Sequence, residues 1–124
     1  MIKQLLLVGL GGGIGSILRY LTSVCTARYY ANTFPLATFI TNIFGCFIIG
    51  LLIGHFSNAT TDSQLKLLFI TGFCGGYTTF STFAAENISL LQSQHYFTLI
   101  AYTLASVVVG ILAVAIGLMV TKGI

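Results

Sequence analysis

A polar run broken by glycines lies inside a segment of this chain that is otherwise long and apolar enough to cross a bilayer. It extends from Gly75 to Phe83 and has the sequence Gly-Gly-Tyr-Thr-Thr-Phe-Ser-Thr-Phe. In hydrocarbon, every backbone N–H and C=O group needs a partner, so irregular backbone persists only where protein or a water-filled cavity covers it. This run is therefore the first place to look for a functional site.

The composition is that of a membrane protein. The chain has 124 residues, of which 56% are hydrophobic and 6% are charged, whereas soluble domains carry about 25% charged residues. We expect a single transmembrane domain over residues 1–124, with the lipid bilayer as its surroundings and no nucleic-acid partner. The apolar stretch that begins near Gln4 has no clean cleavage pattern, so we interpret it as a retained first span.

Four stretches are long enough to cross a membrane, since a hydrocarbon core of about 30 Å needs about 20 apolar residues in a helix. They cover approximately residues 4–24, 36–56, 65–91 and 96–120. The third is longer than necessary, as expected of a helix interrupted in its middle. The predicted fold is an all-α membrane protein with four transmembrane helices, the third broken at its centre.

The charges of the loops orient such a protein only weakly. With four spans, Lys3, Lys66 and Lys122 face one side, while Arg28 and the deeper Arg19 face the other. Orientation follows the excess of Lys and Arg in short loops, and this excess is small. The chain either inserts one way with modest fidelity or inserts both ways and pairs with an inverted copy.

Glycines mark both the predicted break and the predicted helix contacts. Gly72, Gly75 and Gly76 lower helix stability, and Thr78 and Thr79 suit the N-cap of a restarting helix. A half-helix that starts in the membrane favours an anion at its N-terminus, while the carbonyls ending the preceding half favour a cation. Pairs of glycines four residues apart also predict close helix packing; they are Gly9 and Gly13, Gly11 and Gly15, Gly50 and Gly54, and Gly72 and Gly76.

Polar groups and rings around the break suit an anion. Phe80 and Phe83 are three residues apart and share a helix face; they either pack against lipid and helices or present positive ring edges to an anion. Ser81 and Thr82 add hydroxyl donors, and Asn42 adds an amide donor. Such donors are needed because stripping water from a small anion is costly.

Two ionisable residues within the spans have open roles at this point. Arg19 either extends to lipid headgroups or raises the anion concentration in a wet vestibule. Glu86 would repel an anion if it were ionised and close, so it is protonated, paired or turned away. It is also the only carboxylate in a span, and with no catalytic triad, acid pair or metal cluster in the sequence we expect no enzyme.

Three motifs in register resemble the Fluc (CrcB) family of small fluoride channels. They are residues 12–20 (GGIGSILRY), 38–45 (TFITNIFG) and 72–83 (GFCGGYTTFSTF). Together with the length and the four spans, they extend the resemblance over essentially the whole chain. The third motif is highly specific, whereas the first two alone are only suggestive.

The resemblance implies a passive, fluoride-selective channel that exports fluoride across the cytoplasmic (inner) membrane and so limits fluoride toxicity. It also implies an antiparallel, dual-topology homodimer with two pores and a structural sodium ion at its centre. The implied residues are Phe80, Phe83 and Asn42 in the pore, Ser81, Thr82, Tyr102 and Ser106 along its polar track, Arg19 in the vestibule, and Gly75 and Thr78 as backbone carbonyl ligands of sodium.

Two positions depart from the family pattern: Ala37 replaces a usual glycine, and Tyr77 replaces a more common apolar residue beside the break. The alternative class is a four-span, dual-topology small multidrug transporter. Such a carrier of cations would be expected to have a carboxylate in its first span, where this chain has Arg19 and no acid.

Overall fold

The computed structural model describes residues 1–57 and 62–122, and these residues form helices joined by short connections. In chain order the helices are α1 (Ile2–Tyr29), α2 (Leu36–His55), α3 (Ser63–Lys66), a π-helical stretch (Leu67–Cys74), α4 (Gly75–Tyr77), α5 (Phe80–Gln92) and α6 (Tyr96–Lys122). Three of them, α1, α2 and α6, are each long and apolar enough to cross a membrane. The chain is thus a multi-pass, all-helical membrane protein across its described residues.

The predicted third span consists of two halves. The first half-helix, residues 63–77, combines α3, the π-helical stretch and α4, and the second half is α5. The two are separated by residues 78–79, which lie in the predicted run, so the expected break in the third helix is confirmed. The helix bounds otherwise agree with the predicted spans, except that α1 continues five residues beyond the predicted end at residue 24.

Close glycine contacts hold α1 against the first half-helix. A Cβ atom added to Gly11 would meet the Leu68 carbonyl oxygen, and one added to Gly76 would meet backbone atoms of Gly12. The two backbones touch because neither residue carries a side chain, as predicted from the glycine spacing. This contact fixes the depth at which the first half-helix ends.

A second contact of the same kind joins α2 to α6. A Cβ atom on Gly50 would meet the Val114 carbonyl oxygen, and the space beside Gly54 is filled by Thr121. The predicted packing is not found for Gly9 and Gly13, because a Cβ atom at either position would meet nothing within 4 Å. These two glycines face away from the other described helices, so that pair makes no close helix contact within the described part of the chain.

Side-chain hydrogen bonds connect α5 to α6 across their short loop. The Tyr102 hydroxyl donates to Glu86 Oε1 over 3.2 Å, and the Thr103 hydroxyl donates to Asn87 Oδ1 over 3.0 Å. Both bonds lie inside an otherwise apolar contact, where a polar group needs a partner. They hold α5, and with it the start of the second half-helix, in a fixed position against α6.

Candidate ion site at the helix break

The break is two residues of extended backbone followed by a capped helix start. Thr78 has φ −88° and ψ 157°, and Thr79 has φ −149° and ψ 123°. The Thr79 side-chain oxygen accepts a hydrogen bond from the Thr82 N–H over 3.2 Å. This is an N-cap, which satisfies one of the donors left free at the start of α5.

Asn42 clamps the extended backbone with two hydrogen bonds. Its Nδ2 donates to the Thr79 carbonyl oxygen over 3.0 Å, and its Oδ1 accepts from the Thr79 N–H over 2.7 Å. An amide side chain has one acceptor oxygen and two N–H donors, so one N–H of Asn42 is not needed by this clamp. Asn42 therefore both holds the break open and keeps a donor beside it.

The Asn42 clamp and the Thr79 cap bond two backbone N–H groups that would otherwise continue the helix. In an unbroken helix the Thr79 N–H would bond to the Gly75 carbonyl, and the Thr82 N–H to the Thr78 carbonyl. Here the first donates to Asn42 and the second to the Thr79 side chain. The carbonyls of Gly75 and Thr78 are thereby released from the helical pattern, and oxygen atoms of this kind suit a hard cation.

Arg19 extends to the end of the first half-helix. Its Nε donates to the Gly76 carbonyl oxygen over 3.1 Å, which supplies a partner for a third carbonyl at the break. The same side chain lines a cavity of about 360 Å³ whose other lining residues mostly carry hydroxyl groups, namely Ser16, Tyr20, Ser23, Ala37, Thr38, Thr41, Thr79 and Thr82. The structure thus places Arg19 at the break, where it lines a polar cavity.

Phe80 and Phe83 line a second, largely apolar cavity, called here the phenylalanine cavity. The ring centroids of Phe80 and Phe83 are 5.8 Å apart with an interplanar angle of 42°, and the Phe80 side chain is 79% exposed. The cavity has a volume of about 560 Å³, and the predicted site residues that line it are Asn42, Gly75, Thr78, Phe80, Phe83 and Ser106.

Two residues that line the cavities stand out, Ser106 for the hydrogen bonding of its hydroxyl and Thr79 for its position. The Ser106 Oγ is buried and has no hydrogen-bond partner among the described residues, although a buried hydroxyl normally has one. Thr79 lines both the polar and the phenylalanine cavity. It was foreseen only as a possible cap, and its position between two cavities depends on the packing of α2 against the break.

Not every predicted track residue lies along these cavities. Tyr102 is completely buried, its ring packs on Phe83 at a centroid distance of 5.0 Å, and its hydroxyl is bonded to Glu86. Ser81 is exposed, with its hydroxyl 3.3 Å from the Thr79 hydroxyl. Thr82 lines the polar cavity rather than the phenylalanine cavity. Glu86 therefore has a hydrogen-bond partner, which agrees with the paired alternative among those left open by the sequence.

Tyr77 faces away from the break. Its ring stacks on Phe73 at a centroid distance of 5.9 Å and an interplanar angle of 3°, and its hydroxyl lies 3.2 Å from the Thr22 hydroxyl. The side chain is buried and is not among the residues that line the phenylalanine cavity. This departure from the family pattern thus adds a contact between α1 and the first half-helix.

A capped break in an apolar helix, beside a polar cavity that contains Arg19 and an aromatic cavity that shares Thr79 with it, is typical of helical membrane proteins that transport ions. The family profile described as "CrcB-like protein, Camphor Resistance (CrcB)" matches residues 6–118. With this match over most of its length, the chain belongs to the CrcB family.

Curated relatives match along nearly their full length. The protein from Azobacteroides pseudotrichonymphae, named fluoride-specific ion channel FluC, is 46% identical over 123 residues, which cover 98% of each chain. A protein of the same name from Flavobacterium psychrophilum is 48% identical over 121 residues, covering 97% of this chain and 98% of its own. The FluC protein of Ignicoccus hospitalis is 46% identical over 115 residues, covering 93% of this chain and 92% of its own. No support for a multidrug transporter emerges from these matches.

Proposed function

We propose that this chain forms a passive, fluoride-selective channel that exports fluoride across the cytoplasmic membrane and thereby lowers the toxicity of fluoride inside the cell. The names of its relatives support the choice of fluoride. The observation that carries the proposal from the structure is the position of Thr79 and the Asn42 amide between a polar, arginine-containing cavity and a cavity lined by two phenylalanines.

The order of these groups suits the stepwise removal of water from a small anion. Arg19 attracts the anion into the polar cavity, where hydroxyl groups replace part of its hydration. The free N–H of Asn42 and the positive edges of the Phe80 and Phe83 rings continue this replacement. The unpaired Ser106 hydroxyl, which lines the same cavity as the rings, is a further donor. Without such donors the desolvation penalty for the ion would be several kcal/mol or more.

A second, inverted copy of the chain completes the channel in this proposal. The phenylalanine cavity is open at one side, where Phe80 is 79% exposed and where a Cβ atom on Gly75 would meet nothing within 4 Å. Four transmembrane segments, with residues 63–92 as the third, are too few to enclose a pore comfortably. An antiparallel homodimer with two pores covers the open side and agrees with the weak charge bias of the loops.

A sodium ion at the centre of this dimer would be held by the Gly75 and Thr78 carbonyls. The diversion of their helical donors to Asn42 and Thr79 supports this assignment. The described residues contain no group of three or more His, Cys, Asp or Glu side chains that could hold a metal, so the proposed ligands of the sodium ion are backbone carbonyls. The bound ion would neutralise the carbonyl dipoles and hold the two subunits together.

Fluoride efflux from liposomes tests the function directly. Purified protein is reconstituted into liposomes loaded with fluoride, and efflux is followed with a fluoride electrode after the membrane potential is released with an ionophore. We expect rapid fluoride efflux and no comparable chloride efflux. Absence of fluoride efflux, or equal rates for the two halides, would contradict the proposal.

Replacement of the rings tests the path. Phe80→Ile and Phe83→Ile keep apolar volume but remove the ring edges, so we expect fluoride efflux to fall strongly while the oligomer persists. Phe97→Ile is the matched control, because Phe97 is 86% exposed at the start of α6 and lies outside the cavity. Equal efflux in all three variants would exclude the ring-edge path.

The dimer and its sodium ion have separate tests. In spheroplasts that express a cysteine-free variant carrying Lys122→Cys, an impermeant maleimide applied outside should label about half of the chains if the cell inserts the protein in both orientations. Labelling of all or none would contradict dual topology. Exchange of sodium for a large organic cation should lower the thermal stability of the dimer in detergent, and no change would argue against the central ion.

A further inference from the structure

Two of the three cysteines line the phenylalanine cavity, each from a different helix. Cys46 belongs to α2 and Cys74 ends the π-helical stretch of the first half-helix. Neither has a role in the proposed passage of fluoride. The third cysteine, Cys25, is exposed on α1 and lines a different cavity.

The contact between the two helices places Cys46 and Cys74 at similar heights along the cavity. α2 and the first half-helix run in opposite directions, and they meet where Asn42 bonds to Thr79 and where Gly45 lies against Thr78. Cys46 is four residues after Asn42, and Cys74 is four residues before Thr78. A step of four residues is about one helical turn, so both cysteines lie within about one turn of this contact, toward the same end of the helix pair, and both line the cavity.

We propose that Cys46 and Cys74 form a two-thiol site that binds one soft, two-coordinate divalent metal ion, of which Hg(II) is the representative, and that the bound ion obstructs the phenylalanine cavity. Thiolates prefer soft metals. With no third His, Cys, Asp or Glu side chain grouped with them in the described residues, the four-ligand shell preferred by structural zinc is not offered.

Charge selects a divalent ion over a monovalent one. Each thiol loses its proton to solvent as its sulfur bonds to the metal, so two S–H bonds break and two S–Hg bonds form. The product of Hg(II) with two thiolates is neutral, whereas a monovalent ion with two thiolates would retain a negative charge. An uncompensated charge at this depth carries a desolvation penalty of several kcal/mol. The buried position of Cys74, which is 2% exposed, therefore favours the neutral complex.

Native mass spectrometry of Cys25→Ser protein treated with mercuric chloride tests the site without any need for transport. Shared binding adds one mercury atom to each chain with the loss of two hydrogens and no retained chloride. Independent thiols would instead each retain a chloride and lose one hydrogen. Either that pattern or an absence of uptake would overturn the proposal.

Two further variants in the Cys25→Ser background verify the assignment. Cys46→Ser and Cys74→Ser should each convert the product to a single chloride-bearing adduct or abolish uptake. A chloride-free complex that persists in either variant would show that another group supplies the second ligand and would overturn the proposal. A matched control with Cys25 as the only cysteine should show the one-thiol product.

The effect on transport rests on the proposed function and is measured separately. Mercury should reduce fluoride efflux from Cys25→Ser liposomes to the level of protein-free liposomes, and efflux should recover when an excess of a small dithiol removes the metal. Unchanged efflux with one mercury bound per chain would overturn the obstruction. Failure of untreated protein to carry fluoride would contradict the channel function, while the mass measurement would still decide the thiol site.

Discussion

The Asn42 clamp gives the most quantitative prediction. Asn42→Ala removes both hydrogen bonds to Thr79 and leaves the Thr79 N–H, now paired over 2.7 Å, without its acceptor. Two ordinary hydrogen bonds with net contributions of about 0.5–1.5 kcal/mol each sum to roughly 1–3 kcal/mol. Since about 1.4 kcal/mol corresponds to a tenfold change in an equilibrium, the Thr79 amide should exchange hydrogen roughly five to 150 times faster.

Amide hydrogen exchange of the peptide that covers the break is the appropriate assay. Asn87→Ala is the matched control: this residue also uses its amide to bond a backbone carbonyl, that of Phe83, over 3.0 Å, but it lies within α5. We expect the control to leave the Thr79 amide unchanged. Thr79 exchange in Asn42→Ala at the wild-type rate would refute the inference that Asn42 holds the break open.

Asn42→Asp separates the structural role from the electrostatic one. The carboxylate still provides an oxygen acceptor for the Thr79 N–H, so exchange at Thr79 should remain slower than in Asn42→Ala. A negative charge beside the proposed anion path should nevertheless suppress fluoride efflux. Slow exchange together with wild-type efflux would contradict the assignment of Asn42 to the path.

Three further outcomes follow from the geometry of the break. Gly76→Ala places a Cβ atom against the Gly12 backbone and should lower the free energy of unfolding in detergent by about 1–3 kcal/mol. Gly13→Ala should not, because a Cβ atom there meets nothing within 4 Å. Equal melting temperatures of the two variants would refute the close contact. Arg19→Lys replaces the planar guanidinium that donates to the Gly76 carbonyl. We expect slower fluoride efflux and faster amide hydrogen exchange at the break. Unchanged hydrogen exchange would argue against the Arg19–Gly76 bond. Ser106→Ala removes a buried hydroxyl without a partner; it should slow efflux without loss of thermal stability, and unaltered efflux would exclude Ser106 from the path.

Much of the fold was predictable because a bilayer leaves few choices. A core about 30 Å thick sets the length of each span, so the positions of α1, α2 and α6 followed from hydrophobicity alone. The break at residues 78–79 followed from local chemistry, since glycines destabilise a helix and threonine caps a new one. The glycine spacing also predicted the contact of Gly11 and Gly76 with neighbouring backbones.

The sequence predicted candidate site residues but not the hydrogen bonds that join them to one another. Asn42 was expected to offer donors to an anion; in the structure its oxygen and one N–H bond to Thr79, and only the second N–H lies outside this clamp. Tyr102 was expected along the polar track, yet its hydroxyl is bonded to Glu86. These pairings join residues far apart in the chain, so no local pattern could have revealed them.

The run from Gly75 to Phe83 separates what the local sequence determines from what depends on tertiary packing. The sequence by itself determined that a membrane helix breaks there, because helix propensity and capping act over a few neighbouring residues. Only the tertiary structure decided what each freed group does: Asn42 takes the Thr79 N–H and Arg19 takes the Gly76 carbonyl. Those choices depend on how α1 and α2 pack against the break, and packing is a property of the whole chain.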